Sequence, residues 1–146
     1  MLLSKEIAVY LNLAACKLKL YTSAMLRQDN IGLTPEQFLF LDLLWNNGPM
    51  SQQELANMMQ KDKNSVTKLA DALEKKEMII REKDPDDKRA NRLVLTEKAQ
   101  ALKSEAKEKG VSMLDRMLDG ISEEELRAFL DTLSKMSGNM DNLKRP

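Results

Sequence analysis

Residues 84–96 read Asp84-Pro85-Asp86-Asp87-Lys88-Arg89-Ala90-Asn91-Arg92-Leu93-Val94-Leu95-Thr96, a charged run that leaves one apolar segment and enters another. Ile79 and Ile80 lead in; Leu93, Val94 and Leu95 lead out. Short apolar or β-branched runs on either side of a Pro/Asp/Asn cluster predict two antiparallel strands and a solvated connection. The tip of this hairpin carries Lys88, Arg89 and Arg92. A solvated tip needs charge of some kind, so the cations alone decide little. A thin cationic loop can also enter a minor groove, where narrow A·T tracts attract arginine. The segment upstream separates the two readings.

From Ser51 the chain runs Ser-Gln-Gln-Glu-Leu-Ala-Asn-Met-Met, and Ser51 with Glu54 has the spacing of a capping box that opens a short helix. Leu55, Ala56 and Met59 make its apolar stripe. Asp62 is the N-cap candidate for a second helix, on which Val66, Leu69, Ala70 and Leu73 follow at i, i+3, i+4 and i+7. The opposite side shows Lys63, Asn64, Ser65, Thr67 and Lys68 near the helix start, the end that a recognition helix presents to base edges in a major groove. Asn can pair with adenine, Lys can donate to guanine, and Ser or Thr can bond a base or a phosphate. Two helices and a hairpin in this order predict a winged helix-turn-helix.

At this point a family resemblance becomes specific. Asp87-Lys88-Arg89, five residues, then Leu95-Thr96 is similar to the D-x-R-x5-L-T wing signature of the MarR family of bacterial winged helix-turn-helix repressors. Thr34-Pro35-Glu36-Gln37-Phe38 with its Leu-rich continuation, Ser51–Ala56, Leu73-Glu74-Lys75-Lys76 and Leu95-Thr96-Glu97-Lys98 resemble family segments in the same order. The motifs run from about residue 33 to residue 99. Two positions depart from the pattern: Glu77 and Ala99 stand where the family usually has glycine. Glycine provides a left-handed helix exit without steric cost, so Glu77 implies a different exit or local strain.

The resemblance implies one mainly α-helical chain with a small β-hairpin wing, in which 33–96 is the DNA-binding region and 1–30 and 97–146 form a helical dimerisation region. It implies a homodimeric transcriptional regulator, a repressor in most of the family, acting on a pseudo-palindromic site of double-stranded DNA. Ser51, Gln52, Gln53, Lys63, Asn64, Ser65, Thr67, Lys68, Lys88, Arg89 and Arg92 are the expected DNA contacts, and Asp87 is expected to orient Arg89. The expected effector is a small apolar or phenolic anion lodged between the dimerisation region and the reading head.

The rest of the chain fits. Its 146 residues suffice for one core and not for two ordinary domains. Lys plus Arg balances Asp plus Glu at 23 each, which argues against binding nucleic acid over the whole surface. The distribution is uneven: residues 61–92 carry ten basic against eight acidic side chains, and residues 115–125 one against five. DNA contact would be local. Ile7, Tyr10, Leu11, Ala14, Leu18, Tyr21 and Met25 trace one face of a long first helix, and Leu102, Ala106, Met113, Leu114 and Met117 part of another. Ser122 and Glu125 open a last helix with Leu126, Phe129, Leu130 and Leu133 on one side. Such faces exceed what one winged helix can cover, and a two-fold dimer would set two recognition helices about one DNA turn apart.

Leu13-Ala14-Ala15-Cys16 has the form of a lipobox. Asn12 and Glu6 interrupt the apolar stretch before it, and helical phase continues through the site, so the expected address is the cytoplasm with no membrane partner. Cys16 has two further readings. Some MarR relatives sense hydroperoxides with a lone first-helix cysteine near a following Tyr, and Tyr21 follows here, but the second-helix start offers Phe38 and no Tyr. The plainer reading is a small buried hydrophobe.

Enzymatic chemistry finds little support. With 0 His the usual general base and commonest metal ligand are missing, and a lone Cys lacks its usual partner. Five glycines form no phosphate loop. Asp84, Asp86 and Asp87 lack the Gly and Glu of a calcium loop and read as turn formers and as partners for Lys88 and Arg89. No catalytic residue, metal or cofactor is expected. A winged helix serving only protein contacts is the competing class, and it has no need of basic residues at both helix start and wing tip.

Overall fold

The computed structural model describes residues 2–144, with the backbone alone at 110, 111 and 144. Residues 1, 145 and 146, the outermost positions of the two terminal helical regions expected above, lie outside the described residues. In chain order the elements are α1 (Leu2–Gln28), α2 (Pro35–Asn47), β1 (Met50–Ser51), α3 (Gln52–Met59), α4 (Lys63–Lys75), β2 (Ile79–Lys83), β3 (Asn91–Leu95), α5 (Glu97–Met117) and α6 (Glu123–Lys144). They fall into two compact units, Met1–Lys109 and Gly110–Pro146.

The core of the first unit is built on α2. Pro35 opens that helix where no amide partner is needed. Thr34 caps it, its hydroxyl accepting the Gln37 amide while Gln37 Oε1 accepts the Thr34 amide, both at 3.2 Å. Phe40, Leu41 and Leu44 are buried on its inner side against Leu55, Val66, Leu73, Ile79 and Leu93. Each such side chain contributes about 1.5–3 kcal/mol through burial. Phe38 meets Trp45 edge to face at 5.8 Å, and Trp45 Nε1 donates to the Ala99 carbonyl at 3.1 Å, which fastens the start of α5 to α2. Gly48 ends α2 with φ +76° and ψ −164°, a region essentially reserved for glycine.

That turn feeds a strand the sequence reading did not foresee. The hairpin β2–β3 forms as expected, Ile79 opposite Leu95 through Lys83 opposite Asn91. The two residues of β1 then add to its other edge, with Met50 opposite Leu93 and Ser51 opposite Arg92, giving an antiparallel sheet of order β1-β3-β2. A two-residue strand leaves no alternation to detect; its signal is the buried Met50 between Pro49 and the cap Ser51.

Glu77 resolves as strain. It has φ +60°, in the left-handed region, directly after the cap residue Lys76. The Met78 amide donates to the Leu73 carbonyl at 2.9 Å and the Glu77 amide to the Glu74 carbonyl at 3.0 Å, the two bonds of a Schellman exit, with Leu73 and Met78 both buried. The helix thus leaves as a glycine would let it, with a glutamate in place. Ala99 costs nothing comparable: it lies within the first turn of α5, buried, where alanine suits a helix.

Along α1 only Leu26 is buried, while Leu2, Leu3, Ile7, Val9, Tyr10, Leu13, Leu18 and Leu20 are exposed. The helix runs unbroken through Leu13–Cys16. In the second unit Ser122 accepts the Glu125 amide at 3.1 Å to start α6, and Phe129, Leu130, Met140 and Leu143 are exposed along it. No helix among the described residues is long and apolar enough to cross a membrane.

Candidate nucleic-acid interface

The interface begins with two capped helix starts. Ser51, at the end of β1, accepts the Glu54 amide at 3.1 Å, one half of the capping box read from sequence. Eleven positions on, Asp62 Oδ1 accepts the Ser65 amide at 2.7 Å and so opens α4. Hydrogen bonds from Ser65, through its side chain first and its amide second, hold the Asp62 carboxyl below its ordinary value of 3.8, and Lys68 and Lys61 act in the same direction. A carboxylate at a helix N-terminus is also favoured by the helix dipole.

Burial then sorts the residues of α4. Val66, Ala70 and Leu73 are fully buried and Leu69 partly so, as the periodicity required. Lys63, Asn64 and Lys68 are exposed, and among the described residues their side chains have no hydrogen-bond or ion-pair partner. Ser65 and Thr67 are half-buried flank positions. Gln52 Nε2 donates to Thr67 Oγ1 at 2.9 Å, and that hydroxyl donates to the Lys63 carbonyl at 2.9 Å. Gln52 and Thr67 therefore tie α3 to α4 as well as standing at the edge of the surface. Gln53 is exposed and donates to Asn57 Oδ1 at 3.0 Å within α3.

On the wing, Lys88 and Arg89 are exposed in the loop between β2 and β3. The loop is shaped by its acids, as expected: Asp84 Oδ1 accepts the Asp86 amide at 2.9 Å and Asp87 Oδ1 the Arg89 amide at 3.0 Å. Asp87 thus holds the backbone of Arg89; no ion pair joins its carboxylate to Lys88 or Arg89 among the described residues. Arg92 corrects the sequence reading. It does not lie at the tip but within β3, beside Ser51, with Nη2 3.6 Å from Glu82 Oε2 and a buried Nε that lacks a partner. The strand begins two residues earlier than its apolar run, because pairing with β2 continues to Lys83–Asn91.

Sequence reasoning also passed over Arg81, whose guanidinium reaches from β2 to Asp71 and Glu74 on α4. The signal was there in period 2, since a charged side chain falls in the core-facing file after Ile79. Lys76 was passed over too. Its Nζ donates to the Gly32 carbonyl and to Gln37 Oε1, both at 2.7 Å, so the end of α4 is bonded to the loop between α1 and α2. Beside it lies an open depression of about 420 Å³ lined by Leu26, Arg27, Gly32, Leu33, Thr34 and Lys76. Cys16 is exposed on α1, which overturns the buried reading within this chain.

Two capped helices, the second with an exposed polar and basic face, beside a cationic hairpin on a three-stranded sheet, define a winged helix-turn-helix DNA-binding protein. The family model described as MarR family matches residues 33–90. The HTH-type transcriptional regulator MhqR of Bacillus subtilis (strain 168) is 31% identical over 108 residues, covering 74% of each chain. The chain belongs to the MarR family and is a DNA-binding transcriptional regulator. Two solved structures share its fold. AbfR, in its reduced form bound to DNA, aligns with TM-score 0.76 at 20% identity over 94% of this chain and 93% of its own. BpsR of Bordetella bronchiseptica, whose DNA binding is regulated by 6-hydroxynicotinic acid, aligns with TM-score 0.80 at 22% identity over 90% and 92%.

Proposed function

We propose that the protein acts in the cytoplasm as a homodimeric repressor of a pseudo-palindromic operator, with α4 in the major groove and the wing against the adjacent minor groove and backbone. The observation that carries this reading is the exposed set Lys63, Asn64 and Lys68 on the first two turns of α4, whose side chains have no hydrogen-bond or ion-pair partner among the described residues, with Lys88 and Arg89 exposed on the wing. Asn64, Ser65, Thr67 and Lys68 read bases; Lys63, Ser51, Gln52 and Gln53 hold phosphates at the helix starts, as does Arg92 beside Ser51. Residues 33–96 form the reading head, and 1–30 with 97–146 the dimerisation region. The dimer is supported by the exposed apolar side chains of α1 and, separately, of α6, a burden that a monomer in water does not ordinarily carry. Two-fold pairing through them fixes the spacing of two recognition helices.

A small apolar or phenolic anion is the effector in this reading. Support comes from the depression in which Leu26 and Leu33 stand beside Arg27 and Lys76, and from the hydroxylated aromatic acid that regulates BpsR. The exposure of Cys16 supports a second reading, release from DNA through oxidation of the thiol. Sedimentation equilibrium at micromolar concentration, together with operator titration with and without salicylate, tests the main reading. A monomer that still binds a full palindrome tightly refutes the assembly. Salicylate bound without any change in DNA affinity refutes the signalling. Loss of DNA binding on peroxide treatment that Cys16→Ser abolishes would favour the second reading.

A further inference from the structure

Burial along β2 follows the pleat: Ile79 is buried, Ile80 exposed and Arg81 half-buried. Arg81 therefore stands in the file that faces the core, opposite buried Leu93 on β3. A guanidinium in that file needs partners, and it has two. Its Nη2 donates to Asp71 Oδ1 at 2.7 Å and its Nη1 to Glu74 Oε2 at 3.2 Å, with 20% of the side chain exposed. Asp71 and Glu74 are three apart on α4 and so occupy adjoining turns of one side, which the planar fork of arginine can span. Asn64, Lys68 and Asp71 follow at i, i+4 and i+7, which puts Asp71 in line with the exposed face of α4.

We infer that Arg81 is a positioning residue: it fixes the wing against the recognition helix and neutralises two carboxylates that would otherwise repel the phosphate backbone. Its donors are turned toward α4, so its charge is used within the protein, unlike that of Lys88 and Arg89. Without it the base of the hairpin is still held to α4 by the buried Ile79 and Leu93 against Val66 and Leu73, but no polar bond among the described residues fixes the wing to the exposed side of the helix, and Asp71 adds an uncompensated negative charge beside the bases that Asn64 and Lys68 address. The inference rests on α4 and the wing being the surface that meets DNA.

The test is a thermodynamic cycle on operator affinity, using a duplex selected by the wild-type protein from a random pool. Arg81→Met is made in the wild type and in an Asp71→Asn, Glu74→Gln background. In the wild type it should weaken binding about tenfold, and in the neutralised background less than about twofold, because the groups it serves are gone. Arg81→Lys, which keeps the charge and loses the fork, should fall between, and it replaces Arg81→Met in both backgrounds if the latter fails to fold. Amide ¹⁵N relaxation should show residues 86–90 more mobile in Arg81→Met.

An equal loss in both backgrounds would mean that Arg81 touches DNA itself, and would overturn the inference. So would a lowered melting temperature with unchanged affinity and unchanged wing dynamics, which is the signature of a purely structural ion pair. Arg89→Ala separates this from the wider reading. If Arg89→Ala weakens binding and Arg81→Met does not, the positioning role alone fails; if neither does, the assigned DNA surface fails with it.

Discussion

Glu77→Gly should stabilise the protein. A non-glycine residue held at φ +60° carries about 1–2 kcal/mol of steric cost, because its Cβ crowds the neighbouring carbonyl. Glycine removes that cost and adds about 0.5–1 kcal/mol of its own, through the freedom it gains in the unfolded chain. The contacts made by residue 77 are backbone contacts. Thr96 Oγ1 donates to its carbonyl at 2.6 Å, and its amide closes the helix exit, so both survive the substitution. Removing an exposed acid from the C-terminal end of α4 adds a few tenths of a kcal/mol through the helix dipole, on the order of 0.3 kcal/mol. The net gain is about 1 kcal/mol, or a rise of about 3–5 °C in Tm for a chain of this size. Circular dichroism melts and urea midpoints at one fixed protein concentration measure it, the concentration being held because assembly shifts apparent stability by mass action. Glu77→Ala is the control: it removes the charge and keeps the Cβ. If alanine stabilises as much as glycine, or glycine gains nothing, strain at residue 77 is not the explanation.

Other expectations follow from the interface. Arg89→Ala should weaken operator binding by about 1–3 kcal/mol while leaving the circular dichroism spectrum unchanged, because the side chain is exposed and, among the described residues, Arg89 is engaged through its amide alone. Asn64→Ala should relax preference at one base pair, whereas Lys63→Ala should weaken all sequences alike; uniform losses for both across an operator library would refute that division of labour. The Asp62 carboxyl is held below 3.8 in the folded state, so its contribution to stability is fully present above that ordinary value and is lost as pH falls through the lower folded one. The stability difference between wild type and Asp62→Asn should therefore shrink on acidification below 3.8; a difference that grows there would reverse the sign of the argument.

The helices and the hairpin were legible because each had a local cause: a cap, a period, a cluster of turn residues. Asp62 and Ser51 opened helices where they were expected to, since capping needs only a side chain and an amide three residues away. What escaped depended on partners distant in sequence. β1 exists because β3 offers it a free edge; Lys76 is engaged because the chain returns at Gly32 and Gln37. Arg92 shows the same limit. Its position in a strand rather than a loop was set by how far β2 and β3 keep pairing, which the charge pattern did not record.

Those long-range bonds also bear on signalling, because they converge on the last turn of α4. Lys76 Nζ binds the loop between α1 and α2, Lys98 Nζ donates to the Lys76 carbonyl at 2.9 Å, Thr96 bonds the carbonyls of Glu77 and Met78, and Arg81 holds the wing. A recognition helix bonded to three neighbours at one end moves only when those neighbours move. An effector therefore has no need to touch α4. It is enough that it binds one arrangement of the α1–α2 loop better than another, and the depression beside Lys76, if it is the effector site as proposed, is lined by that loop's Gly32, Leu33 and Thr34. A ligand with equal affinity for both arrangements would bind and change nothing. Tight binding at this depression is thus no measure of regulation; only its difference between the DNA-bound and free forms is.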